Sequence, residues 1–198
     1  MSRKRASVRR EEILAATIEE IESSGLRTLR VADVARRLGL SPSLVIYHFV
    51  TKEALVAAAF AHAGENDLYR ARRIAATGRS AREKLDEVIA WYMPTGSTRS
   101  WKIWIDGWSA GLFDAELRAT FAALDKEWKA ILASLIDAGR EAGEFTQGAD
   151  SAQTIATRIL AYLDGLAIQA MFHTDAVTRE LMIEWVSAFV AHELEPPS

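Results

Sequence analysis

An all-α fold is the class this sequence predicts, and three observations predict it. Apolar residues recur every three to four positions through long stretches, the period of one face of a helix. No stretch sustains the alternation of a strand. Only 4 Pro and 11 Gly punctuate 198 residues, while 49% hydrophobic and 26% charged residues suit a packed core. About nine helices in one or two domains are expected.

The first helix is expected from about Ser7 to Ser24. Ile13, Leu14, Ile18 and Ile21 form its apolar stripe, and Gly25 closes it. The next stretch, RVADVARRLGLSPSLVIYHFVTKEAL from Arg30 to Leu55, organises the chain. Val31, Val34, Ala35 and Leu38 share one face of a short helix, and Gly39 can take the positive φ that ends it. Ser41 is a candidate N-cap, with Pro42 at the first helical position, where its missing N–H costs nothing. A second short helix follows, from Pro42 to about His48. Two short helices joined by a few residues that include Gly make a helix-turn-helix. Placing Val45 and Phe49 inward puts Ser43, Leu44 and Tyr47 outward, with His48 at the margin. Such side chains suit base edges, thymine methyls and phosphates, and equally suit packing against another part of the chain.

This segment resembles the DNA-binding domain of TetR-family transcriptional regulators. The matching residues are Gly25, Asp33-Val34-Ala35, Gly39, Ser41, Tyr47-His48-Phe49, Lys52-Glu53 and Leu55. Two departures fall on the reading face: Ser43 stands where the family often has Gly, and Leu44 where a polar residue such as Thr is common. They bear on which operator is read. A third departure, Arg30 where Thr often begins the first of the paired helices, weakens that cap and adds a cation near a phosphate. The resemblance implies DNA contacts from Arg30, Ser41, Pro42, Ser43, Leu44, Tyr47, His48, Thr51 and Lys52. Tyr47, His48 and Lys52 would hold phosphates while Ser43 and Leu44 touch bases.

Thr51 can cap a long helix that runs to about Ala76, spanning about 39 Å if unbroken. Gly64-Glu65-Asn66-Asp67 are poor helix formers, so a kink or frayed turn is expected there. Ser80 to Met93 is amphipathic and begins with the S-x-x-E capping box, Ser80 to Glu83. Pro94 to Ser97 reads as a loop.

From Arg99 to Phe113 the chain reads RSWKIWIDGWSAGLF, with Trp101, Trp104, Ile105, Trp108 and Leu112 on one helical face. Such a face suits core filling and also the wall of an aromatic pocket. Asp106, roughly opposite, is expected in solvent. A long helix follows from Asp114 to about Gly143, with a stripe of Leu117, Phe121, Leu124, Trp128, Ile131 or Leu132, and Leu135. The last two helices are expected at about Ser151–His173 and Thr178–Leu194. Asp150 or Ser151 would cap the first, and Thr174 or Asp175 the second. Both are apolar on more than one side, so each must be covered on more than one side. Pairing with their copies would make a four-helix bundle about a two-fold axis. The family resemblance implies the same homodimer, through about residues 151–194. On the helix face around Trp104-Ile105-Trp108 and the Asp164-Gly165-Leu166 step, the chain from about Trp101 to Leu194 also resembles the ligand-binding half of the choline-responsive, BetI-like branch. The candidate effector residues are Tyr92, Trp104, Trp108, Phe121, Trp128 and Tyr162. They suit a quaternary ammonium, a flat aromatic or an acyl chain alike.

Charge is divided. Residues 1–52 hold ten Lys/Arg against six Asp/Glu, a net of +4, so the remaining 146 carry −7 to reach the chain's −3. Five of the ten cations precede residue 11, where Arg3, Lys4 and Arg5 suit an arm along phosphates or the minor groove, or a solvated terminus. The absence of cysteine excludes disulfides and thiolate chemistry. The four histidines, His48, His62, His173 and His192, form no metal-ligand spacing, and no nucleophile elbow, P-loop or dinucleotide motif occurs. No enzyme activity, metal or cofactor is expected. The basic start lacks an apolar signal core, and no run of about 18 apolar residues occurs, so a soluble cytoplasmic protein without a membrane span is expected.

The expected organisation is a DNA-binding domain over 1–52 and a ligand-binding and dimerisation domain over 53–198. The expected function is a homodimeric repressor on a near-palindromic double-stranded operator, released by a small-molecule effector. A DNA-binding regulator without an effector, and a helical protein-interaction module, are the alternatives.

Overall fold

The computed structural model describes residues 3–93, 98–173 and 175–195, with side chains over 8–93, 101–173 and 175–195. The described residues form nine α-helices, one 3-10 turn and no strand. The helices are α1 (Arg3–Ser24), α2 (Val31–Arg37), α3 (Pro42–Phe49), α4 (Lys52–Ala75), α5 (Ala81–Tyr92), α6 (Thr98–Gly111), α7 (Ala115–Glu141), α8 (Ala152–Phe172) and α9 (Arg179–Leu194). The all-α class holds. The expected loop at Pro94–Ser97 and the Thr174 cap lie outside the described residues.

The chain packs as two compact units: residues 1–67 with 99–124, and residues 68–98 with 125–198. These units follow packing, whereas the division expected at residue 52 was drawn on function.

In the first unit, α1, α2 and α3 share a core of Ile13, Ile21, Leu29, Val34, Val45 and Phe49, continued by Leu55 and Phe60 of α4 and Ile103 of α6. α1 begins at Arg3, so the backbone of the basic start is helical where an arm was expected. At the end of α2, Gly39 adopts φ 65°, and the amides of Gly39 and Leu40 donate back to the carbonyls of Arg36 and Ala35. That pair of bonds is a Schellman stop. Ser41 then caps α3, its Oγ accepting from Leu44 N at 3.3 Å, and Thr51 Oγ1 accepts from Ala54 N at 3.0 Å at the start of α4.

Between these two helices the chain turns by 72° in two residues. Val50 makes the turn with φ 67° and ψ −52°, and Thr51 N donates to Phe49 O at 2.7 Å. This is the strained form of the γ-turn, and positive φ is a genuine outlier for a β-branched residue. Such conformations cost on the order of 1–3 kcal/mol.

Three expectations need correction here. α4 runs through Gly64–Asp67 without the frayed turn expected there, and Gly64 is instead a close-approach residue: a Cβ there would stand 2.5 Å from Leu124 Cδ1. Asp106 is half-buried rather than free in solvent; its Oδ2 accepts the backbone N–H of Leu26 at 2.5 Å and ties α6 to the turn after α1. Leu112 leaves the apolar face of α6, since the helix ends at Gly111 and the side chain is 69% exposed.

In the second unit Leu68, Leu85, Leu132, Ile136, Ile155, Ile159, Leu163 and Leu194 are fully buried. The capping box of α5 is present, with Ser80 and Glu83 bonding reciprocally. Ser151 caps α8. Thr178, not Asp175, caps α9, because Thr178 is the residue whose hydroxyl reaches Leu181 N. α7 closes at Gly143, φ 73°, and the residues after it tie three elements together. The Glu144 carboxylate accepts from the amides of Ala81 and Arg82 at the start of α5, at 3.1 and 2.8 Å. The Phe145 ring lies under the Arg82 guanidinium, and Thr146 N donates to Leu194 O at 3.1 Å.

α8 has no uninterrupted run of 18 apolar residues, but its average composition is strongly apolar. It is long and apolar enough, by length and composition, to cross a membrane, although only 39% of its most apolar window is buried within the chain. Arg158, bonded to Glu193 and Asp150, and Asp164 interrupt its surface.

Gly139 of α7 is filled against Phe145: a Cβ there would overlap the ring. Alanine normally gains about 1 kcal/mol over glycine inside a helix, but overpacking a buried ring costs about 1–3 kcal/mol. The overpacking wins, because Phe145 is buried and held from above by Arg82. Gly139→Ala is expected to lose about 1 kcal/mol of stability, a fall of roughly 2–4 °C in Tm by calorimetry. A rise in Tm would show that the ring moves aside freely.

Candidate nucleic-acid interface and ligand site

α3 buries two of its eight residues, Val45 and Phe49, and offers the rest outward. Ser43 and Leu44 are exposed, and Tyr47 is 80% exposed. The outward face therefore carries the three residues expected on it. It also carries Ile46, which the helical projection did not single out. The Ser43 and Ser41 hydroxyls lie 3.0 Å apart in one hydrogen bond, so the cap of the helix also orients a reading-face side chain. Tyr47 meets the His48 ring edge-on at 5.6 Å. Pro42 holds the first position of α3, and Lys52 opens α4 beside the Thr51 cap. A helix N-terminus with a cation beside it favours a phosphate.

Arg30 is exposed and takes the N-cap position of α2 without a side-chain cap bond, as its departure from Thr implies. The side chains of Arg3, Lys4 and Arg5 lie outside the described residues. Arg10, which the sequence reading only grouped with the basic start, has a defined place: its guanidinium lies 4.8 Å over the Phe49 ring. An open groove of about 310 Å³ runs beside it, lined by His48, Val50, Ala54, Ala57 and Glu116 among others. Arg10 is thus a further cation held at the exit of α3 by a contact no sequence period reveals.

The six aromatic residues expected around an effector fall in both units. In the first, Trp104 and Phe121 close on Phe60, with centroids 5.7 and 5.2 Å from that ring, and Trp108 meets Trp101 edge-on at 5.9 Å. Gly107 allows this packing, since a Cβ there would come within 2.7 Å of both Phe60 and Phe121. In the second unit, Tyr92 meets Trp128 edge-on at 4.9 Å, while Tyr162 stacks on Phe189 at 4.2 Å.

Tyr92 also donates its hydroxyl proton to Asp164 Oδ1 at 2.7 Å. Asp164 was read only as part of an Asp-Gly-Leu step. Burial pushes its carboxyl up to about 6; the Tyr92 bond pulls the other way, the Asp125 carboxylate adds to the rise, and Lys129 opposes it. The result is a carboxylate next to a Trp–Tyr pair, with no ion pair of its own among the described contacts. Such a group suits a positively charged, weakly hydrated ligand.

Comparison with known proteins adds to this geometry. Residues 13–59 match the bacterial regulatory proteins of the tetR family, and residues 81–195 match the C-terminal region of BetI-type transcriptional repressors. The HTH-type transcriptional regulator BetI of Paraburkholderia phytofirmans is 31% identical over 115 residues, 56% of this chain and 58% of that protein. The chain thus spans somewhat over half the length of the curated relatives it matches. A putative transcriptional regulator from Saccharomonospora viridis, solved in complex with choline, superposes with a TM-score of 0.85 at 25% identity, covering 95% of this chain and 98% of that one. A putative TetR-family regulator from a Rhodococcus species gives 0.80 at 25% identity, covering 96% and 100%.

A pH test isolates Asp164. Its folded-state pKa near 6 lies above the ordinary value of about 4. The folded state therefore binds the proton more tightly, and stability falls as pH rises from about 4 to 6, then levels. Asp164→Asn keeps an acceptor for Tyr92 and removes that slope. At pH 7.5 it is expected to equal or exceed the parent by about 1–2 kcal/mol in urea melts. Parallel pH profiles for the two proteins would assign the slope to another group.

Proposed function

The chain belongs to the tetR family of bacterial regulatory proteins, with a BetI-type C-terminal half, and from that premise we propose that it is a homodimeric repressor released from its operator by a small organic cation. The DNA-binding half of the reading rests on α3, an exposed helix fixed at both ends and followed by the Thr51–Lys52 start of α4. In this reading Ser43 and Leu44 meet bases. Tyr47, His48, Lys52 and Arg30 meet phosphates, Ser41, Pro42 and Thr51 set the helix starts, and Arg3, Lys4 and Arg5 follow the flanking backbone. Two copies double the few base contacts one short helix can make, on half-sites about 34–36 Å apart.

The effector half rests on one observation, the Asp164 carboxylate beside Tyr92 and Trp128. A quaternary ammonium can be held by ring faces and neutralised by a carboxylate without needing hydrogen-bond donors. The choline complex of the Saccharomonospora relative supports this class. Trp104, Trp108 and Phe121 then serve chiefly as core of the first unit, and Tyr162 braces α8 against α9 through Phe189. Release needs only the coupling usual for allosteric proteins, about 1–3 kcal/mol. The proposed setting is the cytoplasm, and the proposed role contains no catalytic step.

The dimer reading rests on the side of α8 and α9 that the chain leaves open. Ala161, Gly165, Ile168 and Phe172 follow one another along the exposed side of α8, and Ile183 and Trp185 are exposed on α9. Small residues at Ala161 and Gly165 permit close helix approach.

Three outcomes are expected. Purified protein should protect a near-palindrome, with affinity falling steeply as salt rises, and Tyr47→Ala with Lys52→Ala should weaken it by tenfold or more, roughly 1.4 kcal/mol. Choline or a related quaternary ammonium should quench Trp fluorescence and weaken operator binding, and Asp164→Asn should blunt both effects. Gly165→Arg with Ile168→Glu should shift the mass in light scattering from dimer to monomer. An effector titration that leaves operator affinity unchanged would sink the switch; a dimer that survives the α8 substitutions would move the interface elsewhere.

A further inference from the structure

Val50 is a valine where the backbone asks for glycine. Its φ of 67° falls in the region that glycine enters freely and β-branched residues avoid. Burial does not compensate, since Val50 is 76% exposed, whereas Val45 and Phe49 of the same segment are in the core. Its side chain carries no polar group that could bond within the chain. What balances a strained, exposed valine is therefore to be sought outside the chain.

Its position says where. Val50 is the residue at which α3 ends, at the apex of the 72° corner into α4. Tyr47, 80% exposed, precedes it by three residues, and Thr51 and Lys52 follow it directly. It thus stands in the chain between the proposed reading face and the proposed phosphate-binding start of α4, and it lines the open groove beside Arg10 and His48. We infer that Val50 is itself a DNA contact: its two methyl groups lie against an apolar part of a nucleotide at the edge of the half-site, either a thymine methyl or the adjoining deoxyribose. Thymine methyls protrude into the major groove and are read by apolar side chains. The γ-turn directs the valine outward, and the strain is the cost of presenting it. This inference rests on the operator-binding reading.

The test uses the full-length protein and an operator obtained by random-site selection with the unmodified chain. Val50→Ala removes the methyls and leaves the backbone restriction. Val50→Thr keeps the branched shape and makes one arm polar. Val50→Gly removes the strain together with the side chain. The Ala variant should bind the operator about 4- to 15-fold more weakly, the worth of one to two methyl groups taken from an apolar contact. The Thr variant should lose about fourfold. The dependence of binding on salt should not change, because no phosphate contact is lost. Val50→Gly should melt at the same temperature or higher, yet bind no better than Val50→Ala. Stability and affinity then move apart, as a merely structural residue could not make them do.

Operators carrying deoxyuridine in place of each thymidine in turn identify the nucleotide. A site where loss of the methyl weakens the unmodified protein but not Val50→Ala marks a thymine contact. No such site, with Val50→Ala still weak, marks the deoxyribose. Unaltered affinity in Val50→Ala and Val50→Thr overturns the inference, whatever Val50→Gly does. Failure of the unmodified protein to select any DNA would instead overturn the operator reading, and this inference with it.

Discussion

An eight-residue helix does not stand by itself in water. Nucleation costs more than so few hydrogen bonds return, and isolated helices shorter than about 12 residues are marginal at best. α3 is such a helix, and much of the first unit can be read as the means of holding it. Its start is set twice, by the Schellman stop at Gly39–Leu40 and by the Ser41 cap. Its inner face is clamped by Val45 and Phe49 in the core, and its end is turned sharply at Val50. The face left over is free to be chemically unlike an ordinary surface, which is why serine, leucine and tyrosine can sit there without Lys or Glu to solvate them.

A second theme is how closely the helices approach. Gly64, Gly107 and Gly139 lie inside helices, where glycine weakens the local structure, and each faces a side chain that would collide with a Cβ. The loss of local propensity is exchanged for tight packing against Leu124, the Phe60–Phe121 pair and Phe145. Asp106 belongs to the same pattern. Beside Gly107, its carboxylate satisfies the first amide of the turn after α1, so the tryptophan-bearing α6 is fixed to the three-helix module by packing and by a hydrogen bond.

These features mark the limit of what the sequence discloses. Local rules read well: Ser41, Thr51, Ser80 and Ser151 cap where expected, Gly39 and Gly143 take positive φ, and the inward and outward faces of α3 were separated by helical angle alone. What failed needed a neighbour distant in sequence. Gly64 looked like a breaker because its partner, Leu124, is 60 residues away. Asp106 looked solvated because Leu26 is 80 residues away. The aromatic stripe of α6 was visible, but a period gives the direction of a face and not what it meets, so the Phe60–Phe121 contact of the first unit and the Tyr92–Trp128 contact of the second were not. Asp164 stood out only within the Asp164-Gly165-Leu166 resemblance, because burial and Tyr92 are what make it unusual. Val50 drew no notice because no residue-type rule places valine at positive φ.

The turn after α7 has a consequence for the end of the chain. Thr146 donates its amide to the carbonyl of Leu194, the last residue of α9, while Glu144 and Phe145 just before it are fixed to α5 and α7. Helix ends ordinarily fray, and their opening is silent because terminal carbonyls carry no exchangeable proton. Here the carbonyl's partner is an amide in a distant and well-braced turn. Exchange of the Thr146 proton therefore reports on the last turn of α9, since the opening of that turn breaks the bond that holds it.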